Sequence, residues 1–148
     1  MFKDTPSILH LSDLFIGQEI TIPENSGSIK ITEDMQKYFT NLTGDINPMH
    51  TDESFAKDKG FSGIICYGML TASFYSTLIG VYLPGKYAIF QEADISFSKP
   101  VYIGDELKIK GKIIEINDVL KRITIKAEIR NQNNERISKA TLIAGLTE

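Results

Sequence analysis

Between Met69 and Ile79 the chain puts Leu70, Ala72, Phe74, Tyr75, Leu78 and Ile79 on nearly every side of a helix, and after Pro84-Gly85 it reads only as strand. A helix with so little polar surface is stable only when other elements enclose it. Four strand segments follow: Ile89 with Ala93, Ile95 and Phe97, then Leu107 to Ile116, Leu120 to Arg130, and Ile137 to Leu146. Ile103-Gly104-Asp105, Asn117-Asp118 and Gln132-Asn133-Asn134 supply the turns between them. In Ile123, Ile125, Ala127 and Ile129 the alternation is strict, which predicts one buried face, with Lys121, Thr124, Lys126 and Glu128 largely outside. Ile20 with Ile22, and Ile29 with Ile31, predict two opening strands around Pro23 to Gly27. The expected fold class is α+β, an antiparallel sheet curled around a central apolar helix that starts at Tyr67-Gly68 and ends at Gly80. At 148 residues the chain is expected to be one domain, 1–148, large enough to bury a sizeable core.

The stretch from Tyr38 to His50 carries the chemistry. Met35, Tyr38, Phe39 and Leu42 share one face at helical spacing, Thr32 is a suitable cap, and Glu33 with Asp34 makes an acidic first turn. Gly44 ends this helix. Pro48 lacks a backbone N–H and pushes Asn47 toward extended geometry, so Asp45 to His50 is expected to be an irregular loop, with a second helix starting at Thr51 and stopping before Gly60. A carboxylate and an imidazole five residues apart in such a loop can converge on one cavity, an arrangement suited to paired proton transfer. The same residues also suit ordinary turn and capping roles, because Asp and Asn bond nearby backbone.

Composition narrows the function classes. The formal net charge is -3 and no run of Lys or Arg tracks a phosphate backbone, which argues against a nucleic-acid partner. Met1 to Pro6 lacks the apolar block of a signal peptide, and Ser73, Ser76, Thr77 and Gly80 interrupt the apolar run from Leu70 to Leu83. No membrane partner and a cytoplasmic location are therefore expected. The single cysteine, Cys66, excludes an intrachain disulfide and a cysteine-based zinc site, and its apolar neighbours mark it as a buried small residue.

The segment Tyr38 to Ala56, with Gly44-Asp45-Ile46-Asn47-Pro48-Met49-His50 at its centre, resembles the signature of the MaoC-type (R)-specific enoyl-CoA hydratases, which are hot-dog domains. The resemblance continues through Gly68-Met69-Leu70, Leu83-Pro84-Gly85-Lys86, Phe97-Ser98-Lys99-Pro100-Val101 and Ile103-Gly104-Asp105-Glu106. It implies a lyase that adds water reversibly to a trans-2-enoyl thioester, giving the (R)-3-hydroxyacyl product, on an acyl-CoA or acyl-carrier-protein substrate. By position, Asp45 and His50 hold and activate one water, and the backbone N–H of Gly68 waits for the thioester oxygen. Asn47 shapes the loop, and Ser76 matches a position near the site. Tyr67 departs from the pattern, since the residue before this glycine is commonly His; a tyrosine hydroxyl has a reference pKa near ~10 and does not replace a titrating imidazole. The resemblance implies no metal or redox cofactor and a homodimer or higher oligomer, in keeping with a single sheet that leaves an edge in need of cover. A hot-dog thioesterase and a non-catalytic acyl-thioester-binding subunit are the competing readings.

Overall fold

The computed structural model describes residues 2–147; Met1 and Glu148 lie outside the described residues. Six antiparallel strands form the sheet: β1 (Glu19–Ile22), β2 (Ile29–Lys30), β3 (Ala88–Phe97), β4 (Glu106–Asn117), β5 (Arg122–Arg130) and β6 (Arg136–Leu146). Their order is β1-β4-β5-β6-β3, with β2 also on β4. The two opening strands thus do not pair with each other; Ile20 lies opposite Gly111 and Ile29 opposite Leu107.

The predicted alternation sets the faces of the sheet. Ile123, Ile125, Ala127 and Ile129 of β5 are buried, as are Ile109 and Ile113 of β4 and Leu142 and Ala144 of β6. All of these belong to one apolar core with the central helix. Burying each of the isoleucine and leucine side chains contributes about 1.5–3 kcal/mol relative to leaving it exposed.

The central helix begins at Gly68 as expected and runs as α4 (Gly68–Ala72) and α5 (Phe74–Thr77). Between them the Ser73 hydroxyl donates to the Leu70 carbonyl at 2.6 Å, a back-bond that competes with regular helix. Gly80 does not end it. The winding widens into a π turn over Leu78–Tyr82, closed by Leu83 N–H donating to Leu78 O at 2.8 Å. Both Ile79 and Tyr82 are buried there. At Gly111 of β4 an added Cβ would lie 2.7 Å from Leu78 Cδ2, so the missing side chain is what lets the helix sit this close to the sheet. Tyr75 is fully buried and its hydroxyl pairs with Ser138 Oγ at 2.8 Å; burial pushes its ionisation up to about 12.

Helix α1 (Glu33–Thr43) starts and stops where predicted. Thr32 Oγ1 accepts from Met35 N–H at 3.3 Å, and Gly44, at φ 72°, donates to Thr40 O at 2.8 Å. Its buried face differs from the expected one. Tyr38 and Leu42 are 72% and 81% exposed, whereas the polar Gln36 is the buried residue.

The following loop is shorter than expected. Pro48 occupies the first turn of α2 (Pro48–Thr51), where a missing N–H costs nothing, and Asn47 Oδ1 caps it by accepting from Met49 N–H at 2.9 Å. The helix expected from Thr51 is a separate α3 (Glu53–Asp58), capped by Asp52 Oδ1 on Phe55 N–H at 3.0 Å. No helix of the described residues is long and apolar enough to cross a membrane.

Candidate active site

His50 sits at the end of the single turn of α2, half-buried, and its Nδ1 lies 2.7 Å from the Ile65 carbonyl oxygen. A carbonyl only accepts, so Nδ1 carries the hydrogen. Neutral His50 is therefore the Nδ1–H tautomer, and the lone pair available for proton transfer is on Nε2.

Residues 65–68 bring the chain back to this imidazole. Ile65 N–H donates to Met49 O at 3.1 Å and Cys66 N–H to Val101 O at 2.7 Å, which pins the segment between α2 and the Val101 loop. Tyr67, 2% exposed, then lays its ring against His50, with centroids 4.1 Å apart, and against Phe39 at 5.0 Å. Its hydroxyl donates to the main-chain oxygen of Asp45 at 2.5 Å and pairs with Thr40 Oγ1 at 2.8 Å. The next residue, Gly68, opens α4, where the first N–H groups of a helix have no intrahelical acceptor.

His50 and Gly68 line one cavity of about 300 Å³ together with Ile65, Thr71, Phe97 and Val101. A Cβ at position 68 would stand 3.1 Å from the Phe97 ring, so glycine keeps the helix start open beside that aromatic wall. A larger depression of about 490 Å³ lies on the outer face of the sheet among Lys110, Lys112, Lys126 and Lys139. It is a charged surface without His50 or the helix start.

The structure brings His50, Gly68 and Tyr67 together, but not every expected residue. Asp45 is exposed and does not line the cavity; its Oδ1 accepts from Asn47 N–H at 3.0 Å, which turns the carboxylate back onto its own loop. Asn47 caps α2, its Oδ1 accepting from Met49 N–H at 2.9 Å, and does not line the cavity. Ser76, expected on a buried helix near the site, is exposed within this chain and lies outside the cavity, two turns beyond Gly68. Gln36 was not anticipated. Its amide touches both His50 and the 65–67 segment, and the available hint was only that Gln36 and Thr40 form a polar pair one turn apart on α1.

Cys66 also borders the cavity, and burial pushes its thiol up to about 12. Thiolate is then scarce at pH 8. A folded sample should react with an aromatic disulfide reagent far more slowly than the unfolded chain, whose cysteine titrates near ~8.5. Because this acid is weaker when folded, it favours the native state below that pH and withdraws support as pH rises above it. Equal labelling rates for folded and unfolded protein would contradict the burial. Among the described residues no group of three or more His, Cys, Asp or Glu is placed to hold a metal ion.

One buried helix held by a long antiparallel sheet, with a cavity at the helix start, defines a hot-dog domain. The solved (R)-hydratase of Aeromonas caviae superimposes with a TM-score of 0.82 at 29% identity, over 90% of this chain and 97% of that one. The unliganded R-hydratase of Pseudomonas aeruginosa gives 0.85 at 25% identity, over 97% and 88%. The MaoC like domain matches residues 18–135, and the chain belongs to that family. In sequence it is 33% identical over 105 residues to the Aeromonas caviae (R)-specific enoyl-CoA hydratase, covering 71% of this chain and 75% of that protein. It is 34% identical over 110 residues to the 3-hydroxybutyryl-CoA dehydratase of Methylorubrum extorquens, covering 74% and 66%.

Proposed function

We propose that this protein is a lyase that reversibly adds water to a trans-2-enoyl thioester, giving the (R)-3-hydroxyacyl thioester. The observation that carries the reading is the Nδ1 bond of His50 to Ile65 O, which leaves Nε2 as the base in a cavity shared with the start of α4. The relatives, an (R)-specific enoyl-CoA hydratase and a 3-hydroxybutyryl-CoA dehydratase, support the same chemistry.

In the forward direction His50 Nε2, joined by the Asp45 carboxylate once it leaves Asn47 N–H and turns toward the cavity, holds a water that loses a proton to this pair as its oxygen bonds to the β-carbon. The double bond's electrons move toward the thioester, and the α-carbon then takes a proton from the same pair. The pair ends as it began, and delivery of OH and H from one side makes the addition syn. Charge developing on the thioester oxygen is met by the Gly68 N–H and the positive end of the helix, and a donor in such a position is typically worth ~10²–10³ in rate. Phe97, Ile65 and Val101 offer the acyl group an apolar wall. The thioester is carried by CoA or by an acyl-carrier protein; both kinds of carrier occur in the names of the relatives.

The exposed apolar strand β3 supports pairing of two copies. It is one of the two ends of the strand order, and Ile89, Phe90 and Phe97 are exposed along it. Sedimentation equilibrium should give a dimer or a multiple of it, and I89K/F90K should shift the protein toward monomer. A monomer in the unsubstituted protein would remove the pairing from the proposal.

The functional test is incubation with a short trans-2-enoyl-CoA. Loss of the enoyl absorbance with formation of the (R)-3-hydroxyacyl-CoA, and no free thiol, is the expected result. Free thiol with the unsaturated acid as product, and no 3-hydroxyacyl thioester, would make the protein a thioesterase, and tight binding without turnover would make it a binding subunit.

A further inference from the structure

Three parts of the chain meet on the carboxamide of Gln36, a polar side chain only 5% exposed on the inner face of α1. Its Nε2 donates to His50 O and to Ile65 O, each at 3.1 Å, and its Oε1 accepts from Tyr67 N–H at 3.4 Å. Both amide hydrogens and the amide oxygen are thus spent on other segments. A buried carboxamide satisfied in this way has one orientation, because turning it over would face its oxygen toward two carbonyls.

Two of these bonds converge on His50. One holds its main-chain carbonyl. The other goes to the Ile65 oxygen that receives His50 Nδ1–H, so the two lone pairs of that oxygen are taken by Gln36 and by the imidazole. The segments already touch through Ile65 N–H on Met49 O; what Gln36 adds is a hold on the acceptor that decides the tautomer.

Tyr67 completes the frame on the other side of the ring. It packs on the imidazole, while its hydroxyl reaches past to the main chain of Asp45 and to Thr40, which lies one turn beyond Gln36 on α1. The α1 pair Gln36 and Thr40 therefore matches the main-chain N–H and the hydroxyl of a single residue.

We propose that Gln36 and Tyr67 are positioning residues: Gln36 holds His50 as its Nδ1–H tautomer, and Tyr67 ties the main chain of Asp45 to the same frame. The consequence for rate rests on the hydratase reading; the tautomer does not. Neither residue transfers a proton. They fix the His50 imidazole and the main chain of Asp45 in one frame, and a displacement near 1 Å in a reacting group costs up to ~10² in rate.

The test is made on the full chain labelled with ¹⁵N at histidine. With two histidines in the sequence, the signals of His50 are assigned by their loss in His50→Ala. At a pH where the ring is neutral, the unsubstituted protein is expected to show a protonated Nδ1 and a bare Nε2. Gln36→Leu is expected to move a large share of His50 to the Nε2–H form and to lower kcat about tenfold or more, with KM within about twofold. Tyr67→Phe keeps the ring and is expected to keep the tautomer while lowering kcat about tenfold. If Gln36→Leu does not fold, Gln36→Met preserves the length and gives the same readout. An unchanged tautomer in the folded Gln36 variants overturns the proposal whatever the rate does, and wild-type kcat in Tyr67→Phe removes Tyr67 from it. An unsubstituted protein that hydrates no enoyl thioester overturns the functional reading instead, and the tautomer comparison still decides the role of Gln36.

Discussion

His50→Ala is expected to lower turnover of a short enoyl-CoA at least about a hundredfold while leaving the fold intact. A positioned acid or base contributes ~10²–10⁴ in rate, or roughly 2.7–5.5 kcal/mol of barrier. The cost to stability is small for a reason visible in the hydrogen bonds. When the imidazole is removed, Ile65 O keeps the Gln36 Nε2–H, so no buried acceptor is orphaned and the loss is on the order of 1 kcal/mol. Asp45→Asn is expected to behave alike, since its side-chain oxygen can still accept from Asn47 N–H and preserve the loop. Initial rates followed by enoyl absorbance, beside thermal melts, separate the two effects. Either variant hydrating at near the unsubstituted rate would refute its assigned role.

The largest effect on stability is expected at Leu78, which is fully buried and packs on the bare backbone of Gly111. Leu78→Ala should cost about 2–5 kcal/mol, the usual range for removing a buried leucine and leaving a partial cavity. Gly111→Ala alone crowds the same place, its Cβ falling 2.7 Å from Leu78 Cδ2 and 3.3 Å from Ile125 Cγ2, and should cost about 1–3 kcal/mol. Together the two changes remove three carbons from the helix side of the contact and add one on the sheet side. The double variant should be more stable than the sum of the singles predicts, by about 0.5–3 kcal/mol. Urea denaturation of the four proteins measures this, and strict additivity would mean that the helix does not rest on Gly111 as described.

Much of the architecture could be read from local pattern. The period of two in Ile123 to Ile129 assigns faces directly, and Gly44 sits where a left-handed residue has to end α1. The apolar stretch around Phe74 and Tyr75 required enclosure and received it. Pattern failed where burial was decided by partners far along the chain. On α1, Tyr38 and Leu42 belong to the apolar face read from spacing and are exposed, while Gln36, outside that face, is buried, because the groups it bonds come from residues 50 and 65–67. Nothing in the spacing of an eleven-residue helix reports those acceptors. Likewise, the identity of Tyr67 marked a departure, but its reach to Asp45 O depends on where α1 and α4 cross. Pro48 misled for a simpler reason, since proline breaks a helix interior yet begins one well.

The strand order also sets a sequence of events in folding. β4, β5 and β6 are consecutive and joined by short turns, so they can form a meander early, whereas β1 must find β4 across a long intervening chain, with Glu19 meeting Lys112. Closing distant segments costs entropy before their contacts repay it, which favours late docking of β1. The cavity draws on both halves, with His50 and Gly68 before the meander and Ile137 within it. During synthesis α1 and the His50 turn emerge before the meander that backs them, so the cavity is completed only when residues made much later, Ile137 among them, are in place.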